Sequence, residues 1–287
     1  MKEFIITSYT DPVCVWCWAT EPVYRALETR YPGQIEFRYV TGGLVRDLDD
    51  FEDPDNHISS KDPDFNHQVA SHWAQSASIH RMPIRVEGFR LFDQEHPSSY
   101  PQNIAYKAAQ IASPGLAAKY LRLLRVYTLA RAGLTSHRDV QLDIAREAGL
   151  DMEAFTRALD DGSAQHAFQT DLALTASAGA AVFPTFSVKN IRAQEVMMRG
   201  YNTRTDFENV FRQLNGDTLS PLPSPPDTDI LDWLLTEHGA LTEEEVVQAF
   251  DFASRKEAGR WMQGLFEGGR YRKEPAGTSF LLDRAAR

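Results

Sequence analysis

Apolar and polar residues alternate in two short segments near the start of the chain. Residues 3–9, EFIITSY, alternate loosely and are rich in β-branched and aromatic side chains. Residues 34–40, QIEFRYV, alternate cleanly, with apolar side chains at Ile35, Phe37 and Tyr39. Because successive side chains of a strand point to opposite faces, a period of two predicts a β-strand with one buried face. We therefore predict a strand in each segment.

The segment between these strands has the pattern of a helix. From Val15 to Arg30 apolar residues are interleaved with polar ones, and Tyr31-Pro32-Gly33 ends the pattern. Pro22 lies inside this helix and predicts a kink, because proline lacks the backbone N–H that a helix interior requires. The chain thus opens with a strand, a helix and a strand, which is a βαβ unit.

A long helical region follows. Residues 41–63 are irregular and rich in Asp and Gly, and from about residue 64 to 180 apolar residues recur at three- and four-residue spacing. The sequence then predicts a β-hairpin at 185–189 and 195–201, and a helix at 205–214. The helical segments of the long region are 64–79, 99–112, 115–131, 137–148, 151–160 and 163–178.

The composition changes after the last of these helices. Residues 215–228 contain four prolines together with Ser, Gly and Asp, a composition typical of a linker. Residues 229–287 then contain three helical segments and a hairpin predicted to turn at Pro275–Gly277, the outline of a winged helix. We predict a main domain at 1–214 with its helical insertion at about 64–180, a proline-rich linker, and a small tail domain.

The net charge of the chain limits the classes of partner that it is expected to bind. The 287 residues are 43% hydrophobic and carry a formal net charge of −10, which argues against a protein that coats nucleic acid or an anionic membrane. In the tail, basic residues at 255–273 are nearly cancelled by acidic ones, so we expect contact with protein rather than DNA, or a lid or dimer contact. With no secretory pattern at the N-terminus and no long apolar window, we expect a cytoplasmic chain without a membrane span.

Both cysteines of the chain, Cys14 and Cys17, lie where the first strand leads into the first helix. A zinc site needs two further ligands, and the eight histidines are scattered. A structural disulfide here would close too small a loop to constrain the unfolded chain much. A redox pair explains the position, because free N–H groups at a helix start lower a thiol pKa. We expect Cys14 to attack and Cys17 to resolve the mixed disulfide, with coincidence as the remaining alternative.

Several neighbouring residues have two interpretations. Val15 and Trp16 separate the cysteines and set the redox poise, whereas a charged Asp11 nearby would oppose thiol ionisation. Glu21 could relay a proton to Cys17, although a solvated carboxylate on the helix surface is the favoured interpretation. The turn Thr41-Gly42-Gly43 is interpreted as a plain loop. Three tryptophans could either line a substrate cleft or belong to the core, namely Trp16, Trp18 and Trp73. The core is the favoured interpretation, and the cleft interpretation is strongest for Trp16.

A second motif stands before the strand at 185–189. The sequence AVFPT contains Phe183 and Pro184, and a proline that opens a strand belongs at a sheet edge or beside a site. An ordinary trans proline is one interpretation. If the Phe183–Pro184 bond is cis, Pro184 could pack beside the dithiol and the Phe183 backbone could pair with an incoming peptide. The presence of a CxxC motif in the first βα turn of the same chain favours this second interpretation.

The order strand, DPVCVWCW helix, strand, helical insert, VFPT, hairpin and helix resembles the DsbA-like thioredoxin-fold oxidoreductases. Within them it is similar to the cytoplasmic FrnE-like branch, near the Spx-adaptor and kappa-class glutathione transferase groups, and EHPSSYPQNIAYKAAQ at 95–110 is similar to the start of the insert's second helix. The resemblance implies that Cys14 attacks, Cys17 resolves and Pro184 is the cis-proline. The Val-Trp dipeptide places no histidine between the cysteines, so we expect no extreme oxidant. The bulky Phe183 is expected to narrow the peptide groove.

Motifs and resemblance together predict an α/β thioredoxin fold with a large helical insertion and a winged-helix-like tail. The expected function is thiol–disulfide oxidoreductase or isomerase on protein thiols, with Cys14 and Cys17 catalytic and with Trp16, Phe183 and Pro184 contacting substrate. No metal and no cofactor beyond the redox-active disulfide are expected. Glutathione as co-substrate and a homo-oligomer are left open. The alternatives are a non-enzymatic adaptor with a redox-gated dithiol, and a glutathione-dependent isomerase or transferase.

Overall fold

The computed structural model describes residues 2–215 and 219–285, so residues 216–218 of the predicted linker, and residues 1 and 286–287, lie outside the described residues. The strands are β1 (Phe4–Thr10), β2 (Ile35–Thr41), β3 (Glu52–Asp53), β4 (Ile58–Ser59), β5 (Thr185–Asn190), β6 (Glu195–Arg199), β7 (Leu241–Thr242), β8 (Tyr271–Ala276) and β9 (Ser279–Arg284). The helices are α1 (Val15–Ala19), α2 (Glu21–Arg30), α3 (Phe65–His80), α4 (Tyr100–Ala112), α5 (Ala117–Arg125), α6 (Arg138–Ala148), α7 (Met152–Asp160), α8 (Ser163–Ser177), α9 (Arg204–Asn215), α10 (Thr228–His238), α11 (Glu243–Ala249) and α12 (Arg255–Glu267).

A four-stranded sheet forms the centre of the main domain, in the order β2-β1-β5-β6. The βαβ unit makes β1 and β2 parallel, with Phe4 opposite Ile35, whereas β5 runs antiparallel to β1 and β6 antiparallel to β5. Phe4 and Ile6 of β1 are buried, as their alternation predicts, and they pack with α2 and α9. The predicted strands at 3–9, 34–40, 185–189 and 195–201 are thus confirmed.

The predicted helix at 15–30 is two helices. The first ends at Ala19, and the second begins at Glu21, with Pro22 in its first turn. Pro22 therefore starts a helix rather than kinking one, because the first N–H groups of a helix need no partner within it. The break at Thr20 turns the chain directly behind the cysteines, and the Thr20 hydroxyl donates to the Trp16 carbonyl at 3.1 Å.

The helical insertion also departs from its predicted outline. The segment expected as one helix at 115–131 is α-helical only to Arg125 and continues as a π-helical turn from Val126 to Ala130. The Arg131 N–H bonds the Val126 carbonyl at 3.0 Å, which is the five-residue spacing of that turn. Residues 41–63, expected to be irregular, contain the short antiparallel pair β3–β4. Among the described residues no helix has the length and apolar character needed to cross a bilayer.

The tail contains a helix, a short strand, two helices and a hairpin, and its sheet has the order β7-β9-β8. This is the arrangement expected of a winged helix. The hairpin turns slightly later than predicted, because Pro275 still pairs with Phe280 within the ladder. A side chain at Gly277 would lie 2.1 Å from the Ile84 carbonyl oxygen, so the hairpin tip is packed against the main domain.

The tail packs on the back of α2 and on α5. The Thr29 hydroxyl donates to the Ala249 carbonyl at 2.7 Å. Arg122 donates to both carboxylate oxygens of Glu245, at 2.9 and 2.5 Å, and to the His238 carbonyl at 3.0 Å. Both side chains of this ion pair are buried, and Arg122 lowers the pKa of Glu245 against the effect of burial.

The Arg122–Glu245 pair gives a prediction about how firmly the tail is held. Arg122→Met leaves the buried Glu245 carboxylate without its cation, and we expect the free energy of unfolding in urea to fall by about 3–5 kcal/mol. Arg157→Met removes half of an exposed pair with Glu153 and should cost below about 1 kcal/mol. Adding Glu245→Gln to Arg122→Met should recover stability. Equal costs for the two single variants would contradict a role for the buried pair.

Candidate active site

Cys14 and Cys17 occupy the start of α1. Cys14 is the N-cap residue with an extended backbone, and its Sγ accepts the Cys17 N–H at 3.1 Å. Both are free cysteines, and both are buried, with Cys14 5% and Cys17 1% exposed. Cys14 lines an open cleft, whereas Cys17 is not among the described residues that line it. The sulfur of Cys14 is therefore the one that a substrate can approach.

The motif AVFPT lies beside Cys14. The Phe183–Pro184 peptide bond is cis, and the Cys14 thiol donates to the Phe183 carbonyl oxygen at 3.5 Å. The two motifs singled out in the sequence, 169 residues apart, are thus brought together at one end of the sheet. The expectation that Pro184 packs near the dithiol is consistent with this geometry.

Gly42, interpreted from the sequence as part of a plain loop, supports this cis-proline segment. A Cβ atom at Gly42 would lie 2.0 Å from the ring of Phe183, so only glycine lets that ring pack against the end of β2. The adjacent Gly43 has a φ of +65° and faces the ring of Tyr100. A pair of glycines directly after a strand was the available signal for such a close approach.

Asp11 organises the turn that presents Cys14. Its fully buried carboxylate accepts the N–H groups of Val13 and Leu44 at 2.9 and 2.7 Å. It also accepts from the Ser99 hydroxyl at 3.1 Å and the Asn103 amide at 2.8 Å. Burial nevertheless raises the pKa of Asp11. The segment 95–110 thus supplies two of the four donors that surround this carboxylate.

A buried group of charges lies behind Cys17. Arg125, at the end of α5, donates to Glu21 and to the Thr10 hydroxyl, the latter at 2.5 Å. Glu21 also accepts from Arg25 at 3.3 Å, and it is only 2% exposed. The interpretation of Glu21 as a solvated surface carboxylate is therefore wrong, because the insertion and the tail cover that face of α2. Arg125 was not foreseen as part of the site.

These charges distribute the acidity of the dithiol unevenly. Burial raises the pKa of the Cys14 thiol, and the neighbouring Cys17 and Asp11 raise it further. The pKa of Cys17 is lowered despite its burial, by the hydrogen bond with Cys14, the Arg125 guanidinium and the Thr10 hydroxyl. The expected low pKa at Cys14 is thus replaced by one at Cys17. Because the sulfurs share a hydrogen bond, they titrate as a pair.

The three tryptophans have different surroundings. Trp18 is fully buried in the core, and its Nε1–H donates to the Pro83 carbonyl at 3.1 Å. Trp16 is partly buried, lines the cleft and makes an edge-to-face contact with His80 at 5.8 Å between ring centroids. Burial lowers the pKa of His80 to about 4, so this imidazole is neutral at pH 7. Trp73 is buried in the core and also lines the cleft, so both interpretations given for it from the sequence apply.

One group of possible metal ligands occurs among the described residues, and it is separate from the dithiol. Ligand atoms of Asp93, His96 and His137 lie within 4.8 Å of one another. The two imidazole rings are stacked with centroids 3.9 Å apart, and Asp93 already bonds the His96 ring nitrogen at 3.2 Å. We assign no metal to this group and no step to it.

A family model described as Thioredoxin matches residues 8–207 of the chain. This segment includes both cysteines, the cis-proline and the whole helical insertion. The fold expected from the sequence, a thioredoxin fold with a helical insertion of the DsbA type, is confirmed by this match together with the solved structures below.

Three known proteins illustrate the similarity. The ClpXP adapter protein SpxH of Bacillus subtilis (strain 168) is 27% identical over 229 residues, which cover 78% of this chain and 72% of SpxH. A Nitrosomonas europaea structure, provisionally described as a protein disulfide isomerase, is 16% identical with a TM-score of 0.59 and covers 83% of this chain and 100% of that one. The cytosolic disulfide reductase DsbM of Pseudomonas aeruginosa is 20% identical with a TM-score of 0.51, covering 81% and 98%. The two structures share the fold.

The position of Arg125 gives a prediction about thiol ionisation. Arg125→Met removes the cation beside Cys17 and leaves Glu21 with Arg25 as its partner, so the first ionisation of the dithiol should shift to higher pH. We expect alkylation by iodoacetamide at pH 7 to slow several-fold, because only the thiolate reacts. Arg125→Lys should retain most of the rate.

The matched control is Arg131→Met, which removes a guanidinium paired with Glu274 instead of one beside the dithiol. Its alkylation profile from pH 5 to 10 should superimpose on that of the wild type. If the alkylation profile of Arg125→Met equals those of Arg131→Met and the wild type, the Arg125 guanidinium does not stabilise the thiolate.

Proposed function

The chain belongs to the thioredoxin family, and from this premise we propose that it is a thiol–disulfide oxidoreductase acting on protein thiols through Cys14 and Cys17. The observation that carries the proposal is the asymmetry of the two sulfurs. Cys14 lines the cleft next to the cis Phe183–Pro184 bond, and Cys17 lies behind it beside a buried cation. One sulfur can meet a substrate, and the other can be held as a thiolate.

In the reducing direction the Cys14 proton passes to Cys17, and the Cys14 thiolate attacks one sulfur of a substrate disulfide. A mixed disulfide forms, and the other substrate sulfur leaves as a thiolate. Cys17, after losing its proton, then attacks Cys14 Sγ, so that the Cys14–Cys17 disulfide forms and the second substrate thiolate leaves. Two electrons pass from the dithiol to the substrate. The one proton of the singly ionised dithiol is released to solvent, and solvent supplies the further proton that the two product thiolates need.

The surrounding residues would assist these steps in different ways. Arg125 and Thr10 lower the pKa of Cys17, which favours its ionised form as acceptor of the Cys14 proton and as resolving nucleophile. Phe183 and Pro184 would contact the substrate backbone on the open side, and Trp16 would form one wall beside the attacking sulfur. The reverse steps oxidise a substrate dithiol, and the reduction potential of the pair sets the direction.

An adaptor function is a second candidate, favoured by the SpxH relative, which is named as a ClpXP adapter. Its alignment spans 78% of this chain, so it extends over much of the molecule and not the dithiol motif alone. In this role the main domain and tail would present a bound protein to a protease, and the dithiol would act as a redox gate. Binding of purified ClpX that persists in Cys14→Ser/Cys17→Ser but no longer responds to oxidation would support it, and no binding in either redox state would exclude it.

The enzymatic proposal is tested with single cysteine variants. Cys17→Ser keeps the attacking sulfur and removes the resolving one. Its Cys14 thiolate should displace one sulfur of a disulfide-bonded protein substrate, and the resulting mixed disulfide should accumulate because no second sulfur resolves it. Cys14→Ser should form none, since the remaining sulfur does not line the cleft. Non-reducing gels and intact mass spectrometry measure the trapped species.

Turnover is measured by insulin reduction with dithiothreitol as electron donor. The wild-type rate should exceed the uncatalysed rate. For both variants the rate above the uncatalysed one should be at least about tenfold smaller than for wild type, because each variant lacks one of two required sulfurs. Equal turnover of wild type and Cys14→Ser would overturn the proposal.

A further inference from the structure

The cleft beside Cys14 has a volume of about 520 Å³, and the largest share of its lining residues comes from the segment 44–58 after β2, with further residues from the helical insertion. One wall is the cis-proline segment with Phe183, and another is the start of α1 with Trp16. The remaining walls come from the loop after β2, from α3 and from the segment that follows α3. The large side chains of these walls are Phe51, Phe65, Val69, Trp73, Leu91 and Phe92.

The aromatic floor of the cleft is held in place by contacts among its own side chains. Phe65 packs edge-to-face with Phe51, with ring centroids 6.0 Å apart, and it also contacts Phe92. Trp73 packs against Phe89 at 4.7 Å. Phe65, Trp73 and Phe92 are buried, so their packing fixes the positions of the rings that line the cleft. A preformed apolar cavity of this size accepts a large apolar side chain.

The rim of the cleft is acidic. Glu52, Asp53 and Asp55 all line it, and among the described lining residues there is no lysine or arginine. Glu52 is paired at 3.6 Å with Lys61, but both side chains are exposed and such a pair is easily exchanged. Burial lowers the pKa of the lining residue His72, although Asp53 opposes this, so His72 does not offset the negative charge at pH 7.

Exposed apolar side chains extend the same surface past the attacking sulfur. Leu44 is 40% exposed and Val182 is 50% exposed, and both line the cleft with Cys14. A ligand that crosses the sulfur therefore meets apolar surface near the cysteine and negative charge towards the β3–β4 side.

We propose that this cleft binds the cysteine-bearing segment of protein substrates in which a large apolar side chain adjoins the cysteine and a lysine or arginine lies close by. The inference rests on the proposed function and specifies its substrate class. The apolar side chain fills the aromatic cavity, and the cation meets Asp53 and Asp55. Glutathione does not match this site, because it has two carboxylates and no apolar side chain.

The test uses the full-length reduced protein and synthetic peptides whose single cysteine is joined to 5-thio-2-nitrobenzoate. Four peptides combine Lys or Glu flanks with Phe or Gly beside the cysteine, and release of the coloured thiolate in a stopped-flow instrument gives the second-order rate constant. We expect the Lys–Phe peptide to react about tenfold faster than the Glu–Phe peptide, and several-fold faster than the Lys–Gly peptide. The charge preference should shrink as salt rises.

A rim variant assigns the charge preference to the cleft. Asp53→Asn/Asp55→Asn removes both charges at almost unchanged side-chain size, and the amide oxygen at position 53 can still accept the Asn56 N–H. It should abolish the preference for Lys over Glu, while the preference for Phe remains. The control Asp143→Asn/Glu153→Gln removes the same charge from exposed helix surfaces and should behave as wild type. Reaction with the uncharged reagent 4,4′-dithiodipyridine should be equal in all three proteins.

The inference would be overturned if the rate constants of the four peptides depended neither on the flanking charge nor on the apolar side chain. It would also be overturned if the corresponding glutathione conjugate reacted faster than the Lys–Phe peptide, an outcome that would assign the cleft to glutathione. Failure of the proposed function is a separate result, since then Cys14→Ser would react with every disulfide as fast as wild type.

Discussion

A buried guanidinium joins the parts of the molecule that form the site. Arg125 lies at the end of α5 in the insertion, and it reaches the end of β1 through Thr10 and the start of α2 through Glu21. A buried charge that water does not solvate is stable only when partners of opposite charge or hydrogen-bonding groups contact it, so the insertion, the sheet and α2 must keep one relative position. The same cation lies beside Cys17, and the requirement that holds the fold together also sets the acidity of the dithiol.

From this cation the charges alternate along the back of α2. Glu21 contacts Arg25, Arg25 contacts Glu28 at 3.2 Å, and Glu28 bonds the His238 ring of the tail at 3.0 Å. The tail therefore completes the burial of charges that belong to the main domain. It does not form a lid over the sulfur, since among its described residues none lines the cleft beside Cys14.

How much the sequence predicted depends on the range of the interaction. The CxxC motif, the cis-proline segment and the strands were found because each is signalled by local spacing or by a known family pattern. The role of Arg125 and the burial of Glu21 were missed, because the sequence around a helical residue does not indicate which distant residue it contacts. Pro22 was misplaced for a smaller reason, since one helix and two helices separated by one residue have nearly the same pattern. The glycine pair that includes Gly42 indicated a close approach in the sequence, but only the structure identifies the Phe183 ring as the group that approaches it.

The separation of cleft and tail bears on how two functions can coexist in one chain. Three of the six basic residues at 255–273 that prompted the question of DNA binding form ion pairs, namely Arg255 with Glu244, Arg270 with Asp232 and Arg272 with Asp283. Such pairing leaves little positive field for a phosphate backbone, so a protein partner suits the outer tail surface better. Substrate thiols would meet the cleft on one side of α1, while the tail is anchored behind α2. Exchange at the sulfur therefore does not require the tail to leave its position, and a protein bound to the tail does not compete for the cleft.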